Sequence, residues 1–207
     1  MGEAVERLLD GTAPRADARR NVTRLVEAAR AAVAEIGVTV TAHEIARRAG
    51  VGIGTFYRRV PSREALLLAV LREVLDEIAA VADDALGHDD PWRGFHIFAT
   101  RYVALRAESC GITEAIGGAC GDELAGPLAS LRRRLRALVA RAQDAGAMRT
   151  DVGWQDVAFL LASAATGDRT LGLRARPRQW YRNLDVVLDG LRSAPGNDGC
   201  APVRVRE

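Results

Sequence analysis

Apolar residues recur at helical spacing along most of this 207-residue chain. Within residues 18–37, 62–85 and 91–107 they follow one another at intervals of three or four, and the same spacing returns in residues 122–145 and 178–192. Such intervals place side chains on one face of a helix. The pattern therefore predicts an all-α protein of about nine helices, large enough to bury one small and one larger helical core.

Two short helices are predicted between residues 41 and 60. Thr41 followed by Glu44 is a capping-box start, and the helix behind it ends at Gly50, where the chain must turn. Gly52 then opens a second short helix, so the pair is typical of a helix-turn-helix. The preceding segment, residues 18–37, is expected to supply the scaffold helix on which both pack.

A third helix of this motif starts at Ser62, directly after Pro61, and its apolar stripe continues to about residue 85. One helix is thus expected to link two domains. The predicted organisation is a flexible N-terminal arm (1–15), a helix-turn-helix domain (16–63), a larger helical domain (64–194) joined to it by helix four (62–85), and a loose tail (195–207).

The second short helix has the composition of a DNA-reading helix. Slim residues at its start allow close approach to a groove, and hydroxyl and guanidinium donors follow that reach phosphates or base edges. A structural helical hairpin with a solvated basic face is the simpler alternative. The candidate DNA-contacting residues are Thr41, Gly52, Ile53, Gly54, Thr55, Tyr57, Arg58, Arg59 and Arg63. Within this set Ile53, Gly54, Thr55 and Arg58 are the candidates for reading sequence.

This stretch resembles the DNA-binding domain of the tetracycline-repressor-like (TetR) family of bacterial transcription regulators. The matching residues are Thr41, Ile45, Ala46, Ala49, Gly50, Val51, Gly54, Thr55, Tyr57, Ser62, Glu64 and Leu66. Gly52 stands where the family usually has Ser, Arg59 and Val60 replace a His-Phe pair, and Arg63 replaces Lys. The resemblance implies that residues 16–63 are a DNA-binding domain with double-stranded operator DNA as its partner. It also implies that residues 64–194 are a ligand-binding and dimerisation domain, with an effector cavity between helices four to eight.

Aromatic residues mark the fifth predicted helix as a possible wall of that cavity. Their spacing of three, three and four puts them near one face, which fits plain core equally well. The candidate ligand-binding residues are Leu75, Ile78, Phe95, Phe98, Tyr102, Ile116, Leu131 and Phe159. With few charges among them, they suggest an apolar or amphipathic small molecule of unknown identity. The Gly-rich stretch from 110 to 127 is expected to be broken helix and loop near the cavity entrance.

The last two helices are predicted to form a homodimer, because one helix-turn-helix contacts too few bases to find a single operator. They are expected to pair with their copies as a four-helix bundle. The candidate interface residues are Ala158, Ala162, Ala165, Trp180, Leu184, Val187, Leu188 and Leu191.

Charge supports the assignment of the DNA-binding region. The net charge is only +2, yet residues 1–63 hold eleven arginines and seven acidic residues, whereas residues 64–207 hold eighteen arginines and twenty acidic residues. The basic excess lies with the motif. No constellation of nucleophile and base is present, so we expect neither an enzyme nor a cofactor or metal site.

The cysteine spacing and the hydropathy of the chain indicate where the protein is expected to act. Cys110, Cys120 and Cys200 have spacings unlike a zinc or redox motif, although a sensor disulfide between the first two stays open. No run of eighteen apolar residues and no signal peptide is present, so a cytoplasmic protein without a membrane partner is expected. The resemblance implies a homodimeric repressor that is released from its operator by a small apolar or amphipathic effector. The alternative is a DNA-binding regulator that has no ligand or is controlled by a partner protein.

Overall fold

The computed structural model describes Leu8 and residues 16–116, 121–165 and 169–193. The described residues are predominantly helical, which confirms the predicted all-α class. The α-helices are α1 (Ala16–Ile36), α2 (Ala42–Arg48), α3 (Ile53–Arg59), α4 (Arg63–Leu86), α5 (Pro91–Glu108), α6 (Cys110–Ile116), α7 (Ala125–Asp144), α8 (Trp154–Ala164) and α9 (Gln179–Leu191). A 3-10 turn (Gly121–Leu124) precedes α7, and an antiparallel hairpin of β1 (Arg169–Thr170) and β2 (Leu173–Arg174) lies between α8 and α9.

Helices α1, α2 and α3 pack together, and side-chain caps define where the motif's helices begin. The Thr41 hydroxyl accepts a hydrogen bond from the Glu44 amide at 3.2 Å, and the Ser62 hydroxyl accepts one from the Ala65 amide at 3.0 Å. Between α2 and α3 the chain turns at Gly50, whose φ of +65° is a conformation that favours glycine. The predicted helix-turn-helix is therefore present with the predicted boundaries.

Helix α4 is the spine of the molecule. It starts directly after the helix-turn-helix and packs against α1 at one end and against α5 and α7 further along. Its apolar stripe is fully buried, including Leu71 and Ile78. At its far end Asp90 caps α5, with Oδ1 accepting from the Trp92 amide at 2.9 Å. One uninterrupted helix therefore runs from the helix-turn-helix into the larger bundle.

Helix α6 joins the larger bundle to α1. A Glu114 carboxylate oxygen accepts a hydrogen bond at 2.7 Å from the Val38 amide, in the short loop between α1 and α2. Gly111, buried in the same helix, lies so close to Val33 of α1 that an added Cβ would overlap the Val33 side chain. The loop after α1 is thus held by a side chain from the other half of the molecule.

The last helix corrects part of the predicted dimer interface. Leu184, Leu188 and Leu191 are 1–3% exposed and lie in the core of their own chain. Helix α9 packs this stripe against α5 and α8, so these leucines are not available to a partner. Trp180, Val187, Ala158 and Ala165 also pack partly against the core.

Several sequence predictions concern residues outside the described part of the chain. These are the loose tail from residue 195, the side chains of Cys110 and Ile116, the thiols of Cys120 and Cys200, and residues 117–120 of the predicted entrance. Of the predicted N-terminal arm only Leu8 is described, and it packs partly buried against the core. Among the described residues no helix is both long and apolar enough to cross a membrane.

Candidate nucleic-acid interface and effector cavity

Helix α3 presents one face to the core and the other to solvent. Phe56 is fully buried, whereas the next residue, Tyr57, is 58% exposed. Gly52, Gly54, Arg58 and Arg59 are also exposed. The buried phenyl ring fixes the rotation of the helix, so hydroxyl and guanidinium donors project outward on the side that the sequence predicted.

The charged groups of α2 and α3 are organised differently. On α2, Glu44 contacts the guanidinium groups of Arg47 and Arg48, each at 2.7 Å. These hydrogen bonds lower the pKa of the Glu44 carboxyl to about 2, so it stays ionised and holds both arginines. On α3, Arg58 and Arg59 form no ion pair with any described residue. The uncompensated positive charge of the motif therefore lies on the predicted reading helix.

Three of the predicted DNA contacts have partners within the chain. Arg63 donates through Nε to the Val40 carbonyl and through Nη2 to the Val38 carbonyl, and its Nη1 lies 2.9 Å from Glu64. Its guanidinium therefore braces the loop after α1. Ile53 is partly buried and packs against the core, so it positions α3 more than it offers a side chain to a base edge. Thr55 is half-buried, and its hydroxyl accepts a hydrogen bond from Arg58 at 3.0 Å.

A cavity of about 410 Å³ lies among α5, α7 and α8. One wall is a row on α5 at intervals of four residues, with the rings of Phe98 and Tyr102 stacked at 5.8 Å. The volume falls within the range of about 300–1,000 Å³ typical of small-molecule sites. The complete lining is Phe98, Tyr102, Arg106, Leu128, Leu131, Arg132, Leu135, Trp154, Gln155, Ala158, Phe159 and Ala162.

Four of the predicted ligand residues border this cavity, namely Phe98, Tyr102, Leu131 and Phe159. By contrast, Leu75, Ile78 and Phe95 are buried at 0–2% exposure and do not belong to the lining. Phe95 was predicted because it follows the same aromatic spacing on α5 as Phe98 and Tyr102, whereas Leu75 and Ile78 belong to α4, which contributes no lining residue. All three lie in the buried core.

The sequence analysis did not predict several lining residues, including both arginines, and it assigned two small lining residues to the dimer interface. Arg106 follows Tyr102 by four residues and Leu135 follows Leu131 by four, so extending each predicted row by one turn would have found both. Ala158 and Ala162, predicted for the dimer interface, border the cavity instead. Arg132 carried no such signal, because it belongs to an arginine run interpreted as a solvated face.

Large apolar side chains remain exposed on the outer surface of α8 and α9. Phe159 is 79% exposed, Leu160 38%, Tyr181 44% and Val186 73%. Large apolar side chains that remain exposed near one another mark interaction sites, and Phe159 also borders the cavity. These residues lie on the same two helices as the predicted dimer interface but are not the predicted ones.

Two family models match the chain. The model of the tetR family of bacterial regulatory proteins matches residues 25–70. The model of the C-terminal domain of SbtR-like transcriptional regulators matches residues 90–193. None of the curated proteins compared is significantly similar to the chain.

Solved structures similar to this one include a TetR regulator from Mycobacterium vanbaalenii, with 34% identity, a TM-score of 0.59 and coverage of 86% of this chain and 98% of that chain. A TetR transcriptional regulator from Streptomyces coelicolor has 30% identity, a TM-score of 0.61 and coverage of 84% and 99%. The regulator FadR from Bacillus subtilis, solved with stearoyl-CoA, has 16% identity, a TM-score of 0.58 and coverage of 82% and 98%; it supports the fold alone. The two family models together include α3 and the helices that border the cavity.

Proposed function

The chain belongs to the TetR family of DNA-binding transcriptional regulators, and on this premise we propose that it is a homodimeric repressor released from its operator by a small apolar or amphipathic effector. The observation that carries the proposal is the cavity of about 410 Å³, bordered by α5, α7 and α8. A large apolar space in a DNA-binding protein favours control by a small molecule over control by a partner protein.

A route for the signal follows from helix packing. Helices α5 and α7 form cavity walls, and both pack against α4, which begins at the helix-turn-helix. A ligand that separates these walls favours a different position of α4, and with it a different spacing of the two α3 helices in a dimer. Operator binding requires the two α3 helices to enter major grooves about 34–36 Å apart, so such a ligand shifts the population off DNA.

DNA contact is proposed for the exposed residues of the motif. Thr41, Gly52, Tyr57 and Arg59 position the protein on the phosphate backbone, while Gly54, Thr55 and Arg58 meet base edges. Arg63 is left out because its donors are already bonded within the chain. Ile53 is expected to support the helix from behind.

Selection of genomic DNA fragments bound by the purified protein tests the proposal and yields the operator. Arg58→Ala is then expected to relax the base preference at the contacted position, at a cost of about 1–3 kcal/mol per base contact. Arg59→Ala is the matched comparison and should weaken all sequences alike. An equal, sequence-independent loss from both variants would refute the assignment of Arg58 to base reading, and failure to enrich any sequence would refute DNA recognition by this surface.

A further inference from the structure

The cavity has an uneven distribution of charge. Its lining consists mainly of aromatic and aliphatic side chains, but Arg106 from α5 and Arg132 from α7 both border it. No aspartate or glutamate is among the described lining residues. Two guanidinium groups therefore face a largely apolar space to which the described walls contribute no carboxylate.

The surroundings of Arg106 hold its charge at the cavity wall. The residue is half-buried, its Nη1 lies 3.4 Å from the Tyr102 hydroxyl, and its guanidinium carbon lies 5.8 Å from the centre of the Tyr102 ring. This ring stacks in turn on Phe98. An arginine beside an aromatic face keeps its planar fork oriented, and the fork matches the geometry of a carboxylate or phosphate.

Arg132 supplies the second charge, from the α7 wall of the cavity. It is exposed and forms no ion pair with a described residue, whereas Arg134 on the same helix is bound to Asp83 at 2.7 Å. On α7 the lining residues Leu128, Leu131, Arg132 and Leu135 lie on one face at helical spacing. Arg132 is thus the cationic member of an otherwise apolar row.

We propose that the effector is an anionic amphiphile, with one negatively charged head group bound by Arg106 and Arg132 and an apolar body held by the remaining walls. The inference rests on the proposed function and narrows its effector class. An anion offers these guanidinium groups charge-assisted hydrogen bonds, which are roughly twice as strong as neutral ones, and Arg106 is half-buried. A cation in the same space meets two like charges, and a neutral molecule gains no charge-assisted hydrogen bond from them.

Three probes of equal chain length separate the charge from the apolar body: decanoate, decanol and decyltrimethylammonium. Binding to the full-length protein is measured by isothermal titration calorimetry, supported by the fluorescence of Trp154 in the cavity wall. Decanoate is expected to bind roughly tenfold or more tighter than decanol, with the cation weakest. Raising the salt concentration should reduce the advantage of decanoate, because it screens charge but not apolar contact.

Matched variants tie this preference to the two arginines. Arg132→Gln and Arg106→Gln should each reduce the ratio of decanoate to decanol affinity, with decanol binding little changed. Arg133→Gln is the control, because Arg133 is exposed on the same helix but is not part of the lining. The proposal is overturned if decanol binds the wild type as tightly as decanoate, if Arg133→Gln has the same effect as Arg132→Gln, or if none of the probes binds.

Release of a labelled operator, followed by fluorescence anisotropy, distinguishes the two levels of the argument. If decanol and decanoate bind equally tightly and both release the operator, control by an effector is supported but the proposal of an anionic effector is overturned. Selective binding of decanoate without release of DNA would uphold the anionic site and contradict the proposed ligand-controlled repression.

Discussion

On α3, Phe56 is buried in the core whereas the next residue, Tyr57, is exposed. A substitution at Tyr57 therefore tests the proposed DNA-contacting surface without disturbing the core. Tyr57→Phe removes only a hydroxyl. Because Tyr57 is 58% exposed, this change should leave the fold intact. Loss of one hydrogen bond to a charged phosphate costs about 1.5–3 kcal/mol, so operator affinity should fall by roughly tenfold or more. Fluorescence anisotropy with the selected operator measures the loss.

Tyr181→Phe is the matched control for this change. Tyr181 is 44% exposed but belongs to α9, remote in the chain from the reading helix. Since Tyr181→Phe keeps the ring and removes only the hydroxyl, the variant should stay dimeric, which sedimentation equilibrium checks, and should bind operator like the wild type. Undiminished affinity in Tyr57→Phe, with unchanged thermal unfolding in both variants, would remove Tyr57 from the proposed contacts.

At the residue scale, sequence predicted the local features and missed the distant ones. The caps at Thr41 and Ser62 were predictable because each involves an amide three residues away. The contact of Glu114 with the Val38 amide joins residues 76 positions apart, and no local rule identifies such a partner. Arg63 illustrates the consequence: a donor at the edge of a DNA-binding motif was interpreted as a DNA contact, because the two carbonyls it braces could not be located from sequence.

At the scale of helices, the crossing of α4 and α5 depends on a glycine. A Cβ at Gly94 would overlap the carbonyl of Ala85 near the end of α4. Gly94→Ala must therefore push the helices apart and should lower the free energy of unfolding by about 1–3 kcal/mol. Urea denaturation measures this change.

Gly126→Ala is the paired substitution for that experiment. Gly126 lies in the first turn of α7, and nothing is within 4 Å of an added Cβ. Alanine there should leave stability unchanged or raise it by up to about 1 kcal/mol, because it has the higher helix propensity. If the two variants lost equal stability, steric contact at the α4–α5 crossing would not explain the effect.

The contact of α1 with α4 is predicted to depend on pH. Arg30 donates to both carboxylate oxygens of Glu77, at 2.7 and 2.6 Å, and these bonds lower the pKa of Glu77 below its ordinary value of 4.5. A carboxyl with a lowered pKa in the folded state stabilises the protein above its unfolded pKa, and this contribution is lost as pH falls through the folded value. Since both side chains are more than one-third exposed, we expect at most about 1 kcal/mol at neutral pH.

Thermal unfolding of Glu77→Gln as a function of pH tests this coupling. The variant should unfold a few degrees below the wild type at pH 7, and the difference should shrink as the pH is lowered below 4.5, the ordinary Glu77 pKa. Glu27→Gln, an exposed substitution on α1, serves as control and should show no such convergence. A gap that is constant with pH would mean that the ion pair does not supply the stability.

The apolar stripe of α9 was correctly predicted from the sequence, but it was assigned to a dimer interface and not to the core of its own chain. Leu184, Leu188 and Leu191 form an apolar stripe, as predicted, but their own chain covers it. A hydrophobic pattern shows which face of a helix leaves water and not which surface covers that face. The same limit placed Leu75, Ile78 and Phe95 in the cavity, whereas they lie in the buried core.

At the scale of the whole molecule, the sequence predicted some of the cavity-lining residues but not how the helices bring them together. Phe98 and Tyr102 of α5 were identified from their spacing, and Leu131 and Phe159 from later helices. Their meeting around one space follows from how α5, α7 and α8 pack, which local periodicity does not determine. The charges of Arg106 and Arg132 became informative only once both were placed at the same cavity.

The proposed homodimer gives the outer face of α8 and α9 a testable role. Val186 is 73% exposed beside the buried stripe of α9, so a charge there should leave the monomer folded. Within a dimer interface, however, an unpaired buried carboxylate costs several kcal/mol. Val186→Glu should therefore convert a dimer at micromolar concentration into a folded monomer, as measured by sedimentation equilibrium and circular dichroism. Operator affinity should fall with it, because each monomer reads only a half-site.

Two comparisons separate dimerisation from folding. Ile97→Glu places the same charge on α5 at a position that is 43% exposed, and it should remain dimeric. Leu188→Ala empties a buried position in α9 and should cost about 2–5 kcal/mol of stability, a loss visible in unfolding before any change in association. A wild-type chain that sediments as a monomer at micromolar concentration, or a Val186→Glu variant that stays dimeric, would show that the exposed face of α9 does not pair two copies and that operator recognition must rest on another arrangement.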